Sequence, residues 1–217
     1  MRVRFYIDGF NFYYSCFKHG RYGAYRWLDL SRFCRRLLPH DSIDLVQYFT
    51  ARVKPVPWDP DQHKRQREFL KALGTLPDVD IHYGSFYQKP RMMPLADELV
   101  CPLCSARLGM VRRVNVLRTE EKGSDVNLAV HLVRDGFKDR YETAVVVSND
   151  SDLLEAVRIV RGELGKKFGV VQLKKTSVFA DDSDFRLTLR ESYFRQCVFP
   201  DTVPLPGGGV ATKPTQW

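Results

Sequence analysis

Val145-Val146-Val147-Ser148-Asn149-Asp150-Ser151-Asp152 is the stretch that decides the fold of this chain. A run of apolar β-formers stops abruptly at two carboxylates two positions apart, and Leu153-Leu154-Glu155-Ala156-Val157 then takes up a helical pattern. A strand that is apolar throughout belongs in a sheet covered on both faces. Its end delivers acids to the carboxyl edge, where open α/β folds place their ligand sites. The first strand repeats the arrangement: Val3, Phe5, Tyr6 and Ile7 run straight into Asp8-Gly9-Phe10-Asn11. Strands far apart in the chain thus aim acids at one crevice. Asp and Asn also cap helices and close turns, but a single cap does not account for all of Ser-Asn-Asp-Ser-Asp. Clustered acids with no cation beside them in sequence suit a hard divalent metal ion.

A third acid opens a helix. In Thr119-Glu120-Glu121-Lys122-Gly123-Ser124-Asp125-Val126-Asn127, Asp125 falls in the first turn, where the helix dipole favours negative charge, and Ser124 is a candidate cap. Leu128, Leu132 and Val133 follow at helical spacing. Further strands are expected over 2–7, 43–51, 80–83, 114–117, 143–147 and 169–173. Helices are expected from 10, over 28–38 and 60–73, from Asp125 to about 134, and over 152–163. Strand and helix alternate, so the predicted fold class is α/β, a mostly parallel central sheet with helices on both faces.

In order along the chain, Asp8-Gly9-Phe10-Asn11, Lys122-Gly123-Ser124-Asp125 and Ser148-Asn149-Asp150-Ser151-Asp152 resemble the NYN domain, a PIN-like family of metal-dependent ribonucleases. The bacterial branch related to LabA looks nearest. Tyr48-Phe49-Thr50-Ala51-Arg52-Val53 also looks like the family, and the resemblance covers about residues 1–173. It implies an acidic Mg²⁺ or Mn²⁺ site made of Asp8, Asp125, Asp150 and Asp152, with Asn11 beside it as a catalytic residue. RNA is the implied partner and endoribonuclease the implied activity. The domain is expected over 1–175, with an insertion at about 88–113 and a Pro/Gly-rich extension over 176–217.

The remaining composition agrees with that reading. The 217 residues carry 34 Lys and Arg against 26 Asp and Glu, a formal net charge of +8. With acids drawn into one pocket, the rest of the surface is more basic still, which suits a polyanion. Arg26, Arg52, Lys54, Lys64, Arg65 and Arg67 are candidates for backbone contacts, and Tyr13, Tyr14 and Trp58 for base stacking. Ser148 and Lys122 are candidate phosphate contacts. There is no membrane-length apolar run or signal-peptide pattern, so a cytoplasmic location is expected. The five cysteines fit a reducing compartment, with Cys16, Cys34 and Cys197 read as core residues.

Cys101-Pro102-Leu103-Cys104 is half of a structural zinc motif. Either His82 or His63 completes it across the fold, two chains each supply a pair as a homodimer, or the pair is a plain dithiol. The five histidines show no partner at catalytic spacing. The end of the chain, 199–217, is rich in Pro and Gly and is expected to trail over the surface or to be mobile.

Other functions fit these residues less well. A non-cleaving RNA-binding module would lack the acid set that is present here. The DxD at Asp150-Ser151-Asp152 is shared with Toprim domains, where the order of acids is reversed, and a haloacid-dehalogenase-type phosphatase wants an acid where Phe10 stands. A dinucleotide enzyme wants a glycine-rich turn after the first strand, and Asp8-Gly9-Phe10-Asn11 is not one.

Overall fold

The computed structural model describes residues 1–98, 100–107, 109 and 112–217. In chain order the elements are β1 (Arg2–Asp8), α1 (Gly9–Phe12), α2 (Leu30–Leu37), β2 (Ser42–Thr50), α3 (Gln62–Leu73), β3 (Val79–Tyr83), β4 (Ser85–Pro94) and β5 (Arg113–Lys122). There follow α4 (Ser124–Phe137), β6 (Thr143–Val147), α5 (Leu154–Arg158), β7 (Lys167–Gln172), β8 (Phe185–Thr188), α6 (Glu191–Arg195), β9 (Thr202–Pro204) and β10 (Val210–Thr212). A π-helical segment, Tyr13–Lys18, continues α1, and a second, Ile159–Glu163, continues α5.

Six strands form the central sheet in the order β3-β2-β1-β6-β7-β8, and every neighbouring pair is parallel. From β1 the chain builds outward through β2 and β3, then crosses to the other side for β6, β7 and β8. The strand order therefore reverses between β1 and β6, and this switch point leaves a crevice at the carboxyl ends. Ile7 pairs with Val147, so Asp8 and Ser148 emerge side by side at that crevice.

Period-two alternation divides the core. Val3, Phe5 and Ile7 face one cluster with Trp27, Phe33 and Phe194. Tyr6 faces the other, with Leu128, Leu132, Val146 and Val157. Cys16, Cys34 and Cys197 are buried in the first cluster. Among the described residues no helix is long and apolar enough to cross a membrane.

The structure adds detail to the sequence reading at the insertion and departs from it at the chain end. The stretch read as an insertion over 88–113 is carried on a hairpin: β4 and β5 pair antiparallel from Ser85↔Lys122 to Pro94↔Arg113, so 88–94 and 113 are strand. The connection between the two strands spans 95–112, and positions 99, 108, 110 and 111 lie outside the described residues. Alternation failed as a signal because both faces of this two-stranded ribbon are largely exposed. Its prolines are tolerated because each strand has a free edge.

The chain end is packed rather than trailing. Beyond position 175, β8 adds the sixth strand to the sheet. β9 and β10 then form a second hairpin with Val203 and Ala211 buried. Trp217 packs against Trp27 and Phe69 at ring separations of 6.4 and 5.9 Å. The tight Pro/Gly turn that ruled out a helix is the turn of this hairpin, where Gly208 and Gly209 adopt φ of 91° and 82°.

Candidate functional site: an acidic centre at the switch point

Asp8 ends β1 and caps the helix after it. Its Oδ1 accepts from the Asn11 backbone N–H at 2.9 Å, and its Oδ2 accepts from the Ser148 hydroxyl at 2.8 Å. Ser148 in turn accepts from the Asp150 N–H at 3.1 Å, and Asp150 Oδ1 accepts from the Asp152 N–H at 3.0 Å. Asn11 Oδ1 receives the Asn149 N–H at 3.3 Å. The two strand ends are thus tied together by short polar links in which carboxylate and hydroxyl oxygens take up backbone donors.

Gly9 follows Asp8 for a steric reason. A Cβ there would stand 2.7 Å from the Tyr48 ring and 2.8 Å from the Phe49 carbonyl. Only a glycine lets β1 turn against β2 directly after the acid.

Asp125 arrives from the first turn of α4, and β5 adds a carboxylate that sequence reasoning missed, Glu121. Glu121 Oε1 accepts from the Ser124 N–H at 2.9 Å, which closes the start of α4 in place of Ser124 itself. It stood unrecognised inside Glu120-Glu121 because the two acids read alike. The ribbon separates them: Glu120 pairs with Arg118 and Lys122, while Glu121 turns to the centre.

Burial pushes the Asp8 carboxyl up to about 6, with Asp150 and Glu121 adding to the rise and the Asn11 and Ser148 hydrogen bonds opposing it. Burial also pushes Asp125 up, to about 7, reinforced by Asp8, Glu121, Asp150 and Asp152. Among the described residues none of these five acids forms an ion pair. Oxygen donors in a confined negative field are what Mg²⁺ and Mn²⁺ take, so the donor set fits such an ion. That fit is one of donor chemistry: as the side chains stand, no three described His, Cys, Asp or Glu groups are placed to hold a metal ion together.

The other candidates fall in different places. Ser148 is committed to Asp8 and Asp150 rather than held out to a phosphate. Lys122 is exposed and lies 3.7 Å from Glu120. Lys64, Arg65 and Arg67 pair with Asp61, Asp59 and Glu68. Arg26, Arg52 and Lys54 have no carboxylate partner among the described residues, and Arg52 lies over the Tyr83 ring. Trp58 is exposed, whereas Tyr13 is packed against the core. Cys101 and Cys104 sit in the hairpin tip with no third ligand among the described residues. His82, offered as a completing ligand, instead stacks on Phe49 at 4.7 Å and meets His131 at 4.2 Å.

A parallel, open α/β protein with an acidic centre at its switch point is the class that fold and site define. The chain belongs to the NYN domain family, whose sequence profile matches residues 2–188. It is 28% identical, across its whole length and 75% of the relative, to 6-hydroxy-3-succinoylpyridine 3-monooxygenase HspA of Pseudomonas putida (strain DSM 28022 / S16). A solved structure of a protein of unknown function, VPA0982 from Vibrio parahaemolyticus RIMD 2210633, shares the fold. It has a TM-score of 0.51 and 16% identity, over 87% of this chain and 93% of that one.

Proposed function

We propose that this chain is a metal-dependent ribonuclease of the LabA-related branch, hydrolysing RNA phosphodiester bonds at the Asp8 edge. The observation that carries the reading is the gathering of Asp8, Glu121, Asp125, Asp150 and Asp152 without a paired cation, which raises two of them. A divalent ion held there supplies charge neutralisation at phosphorus and an activated water. Asp8, the most enclosed, would be the anchoring ligand, and Asp125, Asp150 and Asp152 would hold the ion or ions from α4 and the turn after β6. Glu121 would add a further oxygen donor beside them. Asn11 keeps the two strand ends in register through its Oδ1, which leaves its Nδ2 donor for water or phosphate. The intact acid set favours cleavage over passive RNA binding.

The test is Mn²⁺-dependent cleavage of single-stranded RNA by wild type and by Asp8→Asn and Asp150→Asn. Loss in both variants, with the fold retained, supports the reading; undiminished cleavage in both overturns it.

One observation favours a second reading, oxidation of a small aromatic heterocycle: similarity to a relative named as a pyridine monooxygenase extends over the whole chain. Oxygen insertion of that kind draws electrons from a donor, so oxygen consumption with the relative's named substrate and a reduced nicotinamide discriminates the two readings.

A further inference from the structure

A cavity of about 120 Å³ borders Gly9, the residue that follows Asp8. Its walls include Phe12, Tyr13, Phe17, Tyr48, Phe69 and Trp217, brought from four separate parts of the chain. Tyr13, Tyr14, Phe17 and Lys18 all come from the π-helical segment, whose wider turn brings side chains to one side that an α-helix would spread around its axis. Such segments recur at functional sites. In volume the cavity is comparable to the apolar cavity of about 150 Å³ that holds one benzene. It is therefore matched to a single six-membered ring. Faces of Tyr and Phe hold such a ring by stacking and edge contacts.

Several polar groups on its wall are already paired, and the cations Arg26 and Lys18 are not fully so among the described residues. Gln62 and Gln66 donate to the Lys54 and Ala51 carbonyls. Arg65 is shared between Asp59 and Gln216. Arg26 donates from Nη2 to the Phe17 carbonyl at 3.2 Å, but its Nε is buried and has no partner. An unsatisfied buried donor on a guanidinium is costly and asks for an acceptor. Lys18, 4.9 Å above the Tyr14 ring, adds a second cation without a carboxylate among the described residues.

We propose that this cavity binds a single six-membered aromatic or heteroaromatic ring carrying an anionic substituent, with the anion meeting the Arg26 guanidinium on its wall. Two sources present that chemistry: the pyrimidine of a nucleotide and a small aromatic acid. The proposal does not depend on the ribonuclease reading, because neither a divalent ion nor cleavage enters it.

Calorimetric titration of the full chain with benzoate and with the uncharged benzamide tests it. Benzoate is expected to bind about tenfold more tightly, as one charge-assisted hydrogen bond allows. Arg26→Gln is expected to erase the difference. Should that variant fail to fold, Val53→Phe, which fills the cavity while keeping its charges, is expected to abolish benzoate binding. Uridine 5′-monophosphate and 6-hydroxy-3-succinoylpyridine are then competed against bound benzoate. Displacement by the nucleotide identifies a base subsite, and displacement by the pyridine acid identifies a small-molecule site. Equal binding of benzoate and benzamide, or displacement by neither competitor, overturns the proposal.

Discussion

Asp8 and Asp135 are both buried aspartates on the same side of the sheet, and their chemistry is opposite. Asp135, near the end of α4, is fully enclosed and accepts from Arg4, Tyr6, Gln47, Arg134 and Arg140. Burial alone would raise it, but the Arg134, Gln47 and Tyr6 hydrogen bonds outweigh that and hold it below the usual carboxylate range. Asp8 accepts only from a backbone N–H and a hydroxyl and faces other acids, so burial wins and its carboxyl rises to about 6. Depth does not separate a structural acid from a functional one. The partners do. Asp135 is a finished knot between β1, β2 and α4, and the Asp8 centre is a charge imbalance with no cation paired to it among the described residues.

The largest expected effect is on the knot. Asp135→Asn leaves the Arg4 side chain, mostly buried, without its interior partner and is expected to cost about 3–5 kcal/mol, read by urea unfolding. A loss below about 1 kcal/mol would place Asp135 among exposed ion pairs and end the contrast. At the other pole, Asp8→Asn and Asp150→Asn are expected to lower Mn²⁺-dependent cleavage at least about 100-fold while the unfolding midpoint holds or rises. A collapse of the fold in both would show that these acids are structural after all.

Acid titration sharpens the comparison because the two signs differ. Asp125 has a folded pKa of about 7 against 3.8 for the ordinary group, so the metal-free folded state binds the extra proton between those values. The cost of its charge is absent below about pH 4, grows as pH rises through that window, and is complete above 7. Asp125→Asn is therefore expected to match wild type at pH 4 and to exceed it at pH 8 by roughly 1 kcal/mol, after allowing for its half exposure. Asp135 is depressed below 3.8, so its contribution is present above that value and lost as pH falls through the folded pKa. Wild type and Asp135→Asn are accordingly expected to converge in strong acid. A pH-independent gap between wild type and Asp125→Asn would remove the repulsion argument.

The smallest effect is expected at the hairpin tip. Backbone N–H groups of Cys104 and Leu103 hold the Cys101 thiol below its ordinary value, which favours the thiolate a metal takes. Half of a zinc site shared by two chains gives one ion per two chains and a homodimer, both lost in Cys101→Ser with cleavage unchanged. Protein prepared without chelator that contains no zinc by elemental analysis would leave an ordinary dithiol.

Asp8 and the Ser148–Asp152 turn were legible because each follows a strand whose apolar run is unmistakable. A strand end is a place in the fold as well as in the chain. Asp125 was legible as a helix start. Glu121 was not, because the ribbon that aims it alternates with both faces in solvent. Asp135 hid in Arg134-Asp135-Gly136, which reads as a solvated helix end, and its other partners lie on β1, β2 and beyond α4. The aromatic cavity was hidden for a related reason. Tyr13 and Tyr14 read as stacking candidates, while Phe17, Phe69 and Trp217 carry no pattern that distinguishes a cavity wall from ordinary core.

The sequence by itself determined the parallel α/β class, the order of its main elements and the meeting of acids at one edge, because periodicity and strand-end chemistry are local and are written over consecutive residues. Only the tertiary structure decided which acids are neutralised, that the chain end packs instead of trailing, and that rings from four segments enclose a space bordered by Arg26 and Lys18. Those depend on distances between residues far apart in the chain, where a carboxylate's partners, and hence its pKa and its role, are set by packing rather than by its neighbours in sequence.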